Sequence, residues 1–152
     1  MLHSFLSFII YFFSWTLVLY WSHRLCHIIP GLKQIHWHHH QYVTDQQPQW
    51  MWQNIFLFSD DWMSTLDIIV TEIIPTLVFC YFTGQWWLFG IYYVWTAFIQ
   101  EWIEHNKNFN VWPFSAGKFH LNHHKNWRYN YSLFFPIWDY VFGTAKPVES
   151  NH

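Results

Sequence analysis

Charge is scarce in this chain. Only 11% of its 152 residues are Asp, Glu, Lys or Arg, against about 25% in a soluble domain. Such a surface cannot all face water. The net charge is −2, with seven basic residues in total, which argues against a nucleic-acid partner. Cysteine is limited to Cys26 and Cys80. One stands beside a histidine and the other inside an apolar run, so a disulfide framework is not expected. No internal stretch reads as a flexible linker, and only the tail after Lys146 reads as loose; one domain over 1–152 is the expectation. What the chain has instead is apolar and aromatic bulk: 53% hydrophobic, 25% aromatic, with thirteen Trp and nine Tyr. Those two side chains suit the membrane–water boundary, where an apolar ring and a polar tip are both satisfied. The expected class is an all-α integral membrane protein.

Residues 2–22 contain no Asp, Glu, Lys or Arg. A helix of that length rises about 30 Å, enough to cross a bilayer core. A cleavable signal peptide is the rival reading, but the run lacks a basic start and a small-residue cleavage site. Residues 64–104 read as a helical hairpin with arms 64–83 and 85–104 around Gly84, a helix stop, and with Pro75 kinking the first arm. Glu72 reads as the one ionisable group well inside it, and an intramembrane carboxylate is usually functional or internally paired. Residues 50–58 are too short to cross and read as an interfacial or re-entrant helix; Asp60 and Asp61 then start the hairpin arm. The basic residues are Arg24, Lys33, Lys107, Lys118, Lys125, Arg128 and Lys146. None lies at the N-terminus or at the Gly84 turn. The positive-inside rule therefore puts 23–63 and 105–152 on the cytoplasmic side, with three crossings and the N-terminus outside.

Eight histidines fall in those two stretches in three tight groups: His23/His27, His36/His39/His40 and His120/His123/His124. The spacings are H-x-x-x-H, H-x-x-H-H and H-x-x-H-H. Positions i, i+3 and i+4 share a helix face, so each group aims its imidazoles at one point. Neutral imidazole suits Zn, Cu, Fe and Ni. Alone, the first pair reads equally as an interfacial helix end, and the second group as a polar patch. A second H-x-x-H-H lying 84 residues after the first, on the same side of the membrane, favours a shared metal site. Eight nitrogens exceed what one ion takes, so two ions are expected. His38 lies on the opposite face from His36 and is expected outside the site. His3 and His152 are terminal and are expected to play no part in it. His105 ends the second hairpin arm beside the site and is expected as a ligand or as a support of one. Glu101, four residues earlier, and Glu104 are expected to orient a liganding imidazole through its free N–H.

The stretches YWSHRLCH (20–27), KQIHWHHHQ (33–41), EWIEHN (101–106), FHLNHH (119–124), NYS (130–132) and IWDYVFGT (137–144) together carry a resemblance. The chain resembles the fatty acid hydroxylase / sterol desaturase superfamily of membrane di-iron oxidoreductases. It is less similar to the equally short carotenoid hydroxylases, whose first histidine box and ending differ. The resemblance implies a dimetal, oxygen-activating centre with His23, His27, His36, His39, His40, His120, His123 and His124 as ligands and His105 as a further family histidine. Some relatives pair that histidine with another four residues earlier, where this chain has Glu101. Asn130, Trp138, Asp139 and Gly143 match the family ending; Gly143 reads as a turn and Asp139 as a cap or a support behind a ligand.

The expected activity is hydroxylation or desaturation of a membrane lipid (fatty acyl, sterol or related chain) by two iron ions and O2. Ligand chemistry alone also admits zinc. No nucleotide or flavin fingerprint is visible, so the electrons are expected from a partner such as a ferredoxin or b-type cytochrome. Lys107, Lys118, Lys125 and Arg128 either steer that donor or are ordinary positive-inside charges. The competing class is a non-catalytic metal-binding subunit of a larger membrane assembly. A structural clip needs only about four ligands, which weighs against it.

Overall fold

The computed structural model describes residues 2–42, 50–59 and 61–146. Asp60 and the tail after Lys146, including His152, lie outside the described residues. Among those described, helices are the only regular secondary structure, with no strand. Helix α1 (Leu2–Cys26) is followed after a short turn by α2 (Pro30–Tyr42). Residues expected as an interfacial helix form one 3₁₀ turn, Trp52–Phe56. The first hairpin arm comprises α3 (Trp62–Ile68), a π-helical turn (Ile69–Ile73) and α4 (Ile74–Thr83). The second comprises α5 (Trp87–Trp95), another π turn (Thr96–Gln100) and α6 (Glu101–Ile103). Two short helices close the fold, α7 (Lys118–Lys125) and α8 (Ile137–Val141).

Local chemistry explains the boundaries. Asp61 caps α3, its carboxylate accepting from the Met63 and Ser64 amides at 2.8 and 3.0 Å, which satisfies donors a helix start leaves open. Gly84 ends α4 with a φ of 72°, the left-handed conformation that glycine adopts freely. In the first arm the expected kink at Pro75 takes the form of a π turn just ahead of it. Proline lacks an N–H and crowds the carbonyl four residues back; widening that turn lets the Ile74 amide bond Ile69 O instead.

The π turn also changes which residues share a face. Five residues make 500° of α-helix, which would set Asp67 and Glu72 well apart. A π turn closes i to i+5, and both carboxylates are buried, at 5% and 6% exposure. Asp67 thus joins Glu72 as an ionisable group inside the first arm, correcting the reading of Glu72 as alone there. Glu72 Oε1 accepts from Gln100 Nε2 at 3.3 Å, and the same amide gives to Glu104 Oε2 at 2.9 Å. The carboxylate is therefore paired across the hairpin.

Helix α1 packs against α4 and the π turn before it, while α2 lies on α3. The apolar core is Trp15, Leu19, Cys80, Leu88, Tyr92 and Phe134. Buried and half-buried indoles find partners for their N–H groups: Trp15 on Thr76 Oγ1 and Trp138 on Thr16 Oγ1, both at 3.0 Å, and Trp50 on Ala97 O at 2.7 Å. Both cysteines are free. Among the described residues, two helices are long and apolar enough to cross a membrane, His3–Cys26 and Trp62–Thr83. They keep large apolar side chains outward, Phe5, Ile10, Val78, Tyr81 and Phe82 among them. The second arm, over 87–103, is shorter than either.

Candidate metal centre

The ends of α1, α2, α6 and α7 meet at one end of the bundle, and their imidazoles converge. Two sets of ligand atoms result, each with all its atoms within 4.8 Å of one another: His23, His27, His36, His40 and His123 in the first, and His39, His105, His120 and His124 in the second. All nine histidines singled out in the sequence are in one set or the other. The H-x-x-H-H box on α2 is split. His36 and His40 (i, i+4) enter the first set and His39 the second, so one helix serves both. Helix α7 divides likewise, with His123 in the first set and His120 and His124 in the second. The sets share a wall where the His40 and His124 rings stack at 4.3 Å.

The donor set has a chemistry that calls for a cation. His23 Nδ1 lies 2.7 Å from the Tyr131 carbonyl oxygen. A carbonyl only accepts, so Nδ1 carries the proton and Nε2 of the neutral ring presents its lone pair. His36 Nδ1 stands 2.9 and 3.0 Å from the two Asp67 oxygens, and donating to that carboxylate leaves its Nε2 a lone pair as well. Those two Nε2 atoms are 3.0 Å apart and buried. Two lone pairs facing each other repel, and a buried acceptor without a donor costs about 1–3 kcal/mol. A metal ion between them removes both penalties. His123 is fixed the same way, Nδ1 donating to Tyr129 O at 2.6 Å and Nε2 standing 3.0 Å from His27 Nε2. His40 Nε2 closes the set at 3.2 Å from His36 Nε2.

In the second set His124 Nε2 is 3.0 Å from His120 Nε2 and 3.2 Å from His105 Nε2. Glu104 stands beside it, Oε1 at 3.8 Å from His120 Nε2 and Oε2 at 4.0 Å from His105 Nδ1. Burial first, then the neighbouring histidines, holds His27, His36, His105, His120, His123 and His124 below the ordinary imidazole pKa. The same causes push His40 down to about 2. His39 is lowered too, by burial, against the opposing charge of Asp67. All are neutral near pH 7, the form that binds metal.

The expected supports act at different removes. Glu104 lies against the second set. Glu101 turns aside to accept from Asn54 Nδ2 at 3.3 Å. Asp139 works one backbone link further back. It accepts from the Tyr131 and Ser132 amides at 2.8 and 2.9 Å and from Thr144 Oγ1 at 2.7 Å, which fixes the strap whose Tyr131 carbonyl holds His23. Asn130, at a φ of 60°, gives its Nδ2 to Phe119 O and Lys146 O, both at 3.1 Å, anchoring the start of α7. Gly143, at a φ of 68°, brings Thr144 back over Asp139. His38 points away, its Nε2 3.3 Å from Asp61 Oδ1.

Sequence reasoning passed over Asp67, the Tyr129 and Tyr131 carbonyls, and Gly117. Gly117 has a φ of 65°, and a Cβ there would overlap the Phe109 carbonyl. Its amide gives to Glu104 O at 2.8 Å and the next amide to Phe109 O at 2.9 Å, so this turn docks α7 against the end of α6.

Among the described residues, a helical fold with two membrane-length apolar helices and nine converging imidazoles is the architecture expected of a membrane metalloprotein. The model of the fatty acid hydroxylase family matches residues 8–144, and the chain belongs to that family, within the fatty acid hydroxylase / sterol desaturase superfamily. It is 27% identical to lathosterol oxidase of Mus musculus over 98% of its own length and 48% of the relative's. It is 28% identical, with the same coverage, to lathosterol oxidase of Rattus norvegicus. It is 30% identical to Delta(7)-sterol-C5(6)-desaturase of Nicotiana tabacum, over 96% of the chain and 54% of the relative. The chain thus spans about half the length of the curated relatives it matches. No solved structure matches it. Two of these relatives are named as oxidases and one as a desaturase.

Proposed function

We propose that this chain is a membrane-bound, O2-dependent di-iron oxidase that hydroxylates or desaturates a membrane lipid. The carrying observation is the pair of buried Nε2 lone pairs of His23 and His36, 3.0 Å apart, within two sets of five and four imidazoles. In this reading His23, His27, His36, His40 and His123 hold one ion and His39, His105, His120 and His124 the other. Nine imidazoles in two sets would suit iron, and they exceed the four or so ligands that a structural clip needs.

Two iron ions bound there supply activation of O2 and oxidation of a C–H bond, with electrons from a separate protein. The chain's own residues set the stage. Tyr131 O, Tyr129 O and Asp67 fix the tautomers of His23, His123 and His36. The apolar helices bring the lipid to the site from the bilayer side. We place 23–63 and 105–152 on the cytoplasmic face, with 2–22, 64–83 and 85–104 crossing, the last as a short arm. The relatives' names make a Δ7 sterol the first substrate to assay, followed by fatty acyl chains.

The test is expression with a generic reducing system, iron and zinc analysis of the purified protein, and mass spectrometry of sterols and total lipids. Two irons per chain and a product that gains one oxygen or loses two hydrogens support the reading. A single zinc with no altered lipid sinks it.

A further inference from the structure

An open groove of about 460 Å³ lies over the first imidazole set, lined by Pro30, Lys33, Gln34, Trp37 and Trp127. It begins four residues beyond the end of the apolar helix α1, at the end of the bundle that carries the histidines. Both of its indoles touch an imidazole. Trp127 stacks on His27 at 5.9 Å and 17°, and Trp37 on His40 at 5.8 Å and 14°. The Trp37 face is 39% exposed. Two cations cover Trp127: Lys33 Nζ at 5.1 Å and Arg128 Cζ at 5.3 Å from its ring centre. The lining holds no acidic residue. Two indoles stacked beside two of the candidate ligands and rimmed by positive charge form a surface close to the centre. It suits an acidic protein surface that must come close to the centre without entering it.

Resting on the oxidase reading, we propose that this groove is the docking site of the electron donor, an acidic one-electron carrier protein such as a b-type cytochrome. Lys33 and Arg128 select the donor's carboxylates, and Trp37 and Trp127 form the contact between donor and centre. Each encounter passes one electron, the donor's haem iron going from ferrous to ferric and one ferric ion of the pair to ferrous. Two encounters reduce the pair.

The test uses the full chain in lipid nanodiscs and a soluble, acidic b-type cytochrome domain as probe. Binding of the oxidised cytochrome is measured across a salt series, and reduction of the iron-loaded protein by the reduced cytochrome is followed anaerobically. Lys33→Glu with Arg128→Glu is compared with Lys107→Glu with Lys118→Glu, an equal charge change on exposed residues outside the groove. The groove variant is expected to bind about tenfold more weakly at low salt, with a flatter salt dependence and slower reduction by the cytochrome, while dithionite reduces it at the wild-type rate. The control variant should bind like the wild type. Equal weakening in both variants, or unchanged binding in the groove variant, overturns the proposal, as does slowed dithionite reduction. Unchanged cytochrome binding with weakened retention of lipid would overturn it in favour of a lipid entrance. A wild-type iron pair that accepts electrons yet is not reoxidised by O2 would tell against the oxidase reading while binding still judges the groove.

Discussion

The two imidazole sets are built differently. In the first, all five rings are buried, and three are oriented from behind by groups that only accept: two backbone carbonyls and the Asp67 carboxylate. In the second, three of the four rings are part-exposed, and His105, His120 and His124 stand against one another with Glu104 just beyond hydrogen-bond length. The first is preorganised by the fold. The second depends more on whatever sits among its rings. The lesson is that nine chemically identical ligands need not make two equivalent sites, because the groups behind an imidazole decide its tautomer and its freedom.

The largest effect that tests this contrast comes from deleting one ligand in each set. His39→Ala leaves three imidazoles in the second set, and His123→Ala leaves four in the first. Neither variant should form product. The His39 variant should fall from two metal ions per chain to about one, whereas the His123 variant should retain more. Metal analysis beside lipid mass spectrometry reads both. Two full ions and normal product in the His39 variant would break the assignment.

Next come the groups behind the ligands. Asp67→Asn leaves His36 without its charged acceptor and should weaken metal binding about 10–100-fold, measured by competition with a chelator. Glu104→Gln, acting across 3.8–4.0 Å, should cost less. An equal or larger loss from Glu104→Gln would mean that the second set is anchored as firmly as the first.

Gly117 sharpens the contrast from the backbone side. Gly117→Ala would push a Cβ into the Phe109 carbonyl at a positive φ, a combination expected to cost about 2 kcal/mol or more. The turn joins α7, which carries His120 and His124, to the end of α6, just beyond which His105 lies. Thermal unfolding in detergent should show the loss, and the metal of the second set should go first.

These residues also mark what could be read from sequence. Eight of the histidines were legible because helical periodicity brings i, i+3 and i+4 together, and His105 because it ends the second arm beside them; the Gly84 stop and the Asp61 cap carry local signatures. Asp67 was not, because its inward direction depends on a π turn that no short-range pattern announces. Tyr131 and Tyr129 act through backbone carbonyls, which are the same in every residue. Gly117 is required by Phe109, a contact made only once the chain has folded. The division of each H-x-x-H-H box between two sets was equally invisible, since shared spacing says that rings meet and not which partner each one meets.

Acid should separate the sets more gently. Buried histidines such as His36, His40, His120 and His123 stay neutral in the folded chain, with His40 pushed down to about 2, whereas the unfolded chain takes up protons near pH 6.5. Below that pH the unfolded state binds more protons, so stability falls with falling pH. The unfolding temperature of metal-free protein should be level above about pH 6.5 and decline steadily beneath it. Loaded protein should resist to lower pH and release the ion of the part-exposed second set first. A flat profile down to pH 4 would contradict the burial of neutral rings.

The smallest effect belongs to His38. It sits in the densest run of histidines in the chain, between His36 and His39, and composition alone would rank it with them. Its helical phase points it to Asp61 at 3.3 Å, a pair with both side chains part-exposed, where such contacts contribute about 0–1 kcal/mol. His38→Ala should therefore keep two ions per chain and near-normal product, with at most a slight loss of thermal stability as α2 loosens from the start of α3. Loss of an ion in this variant would mean that the α2 box presents a different face to the metals, and the split of His36 and His40 from His39 would fall with it.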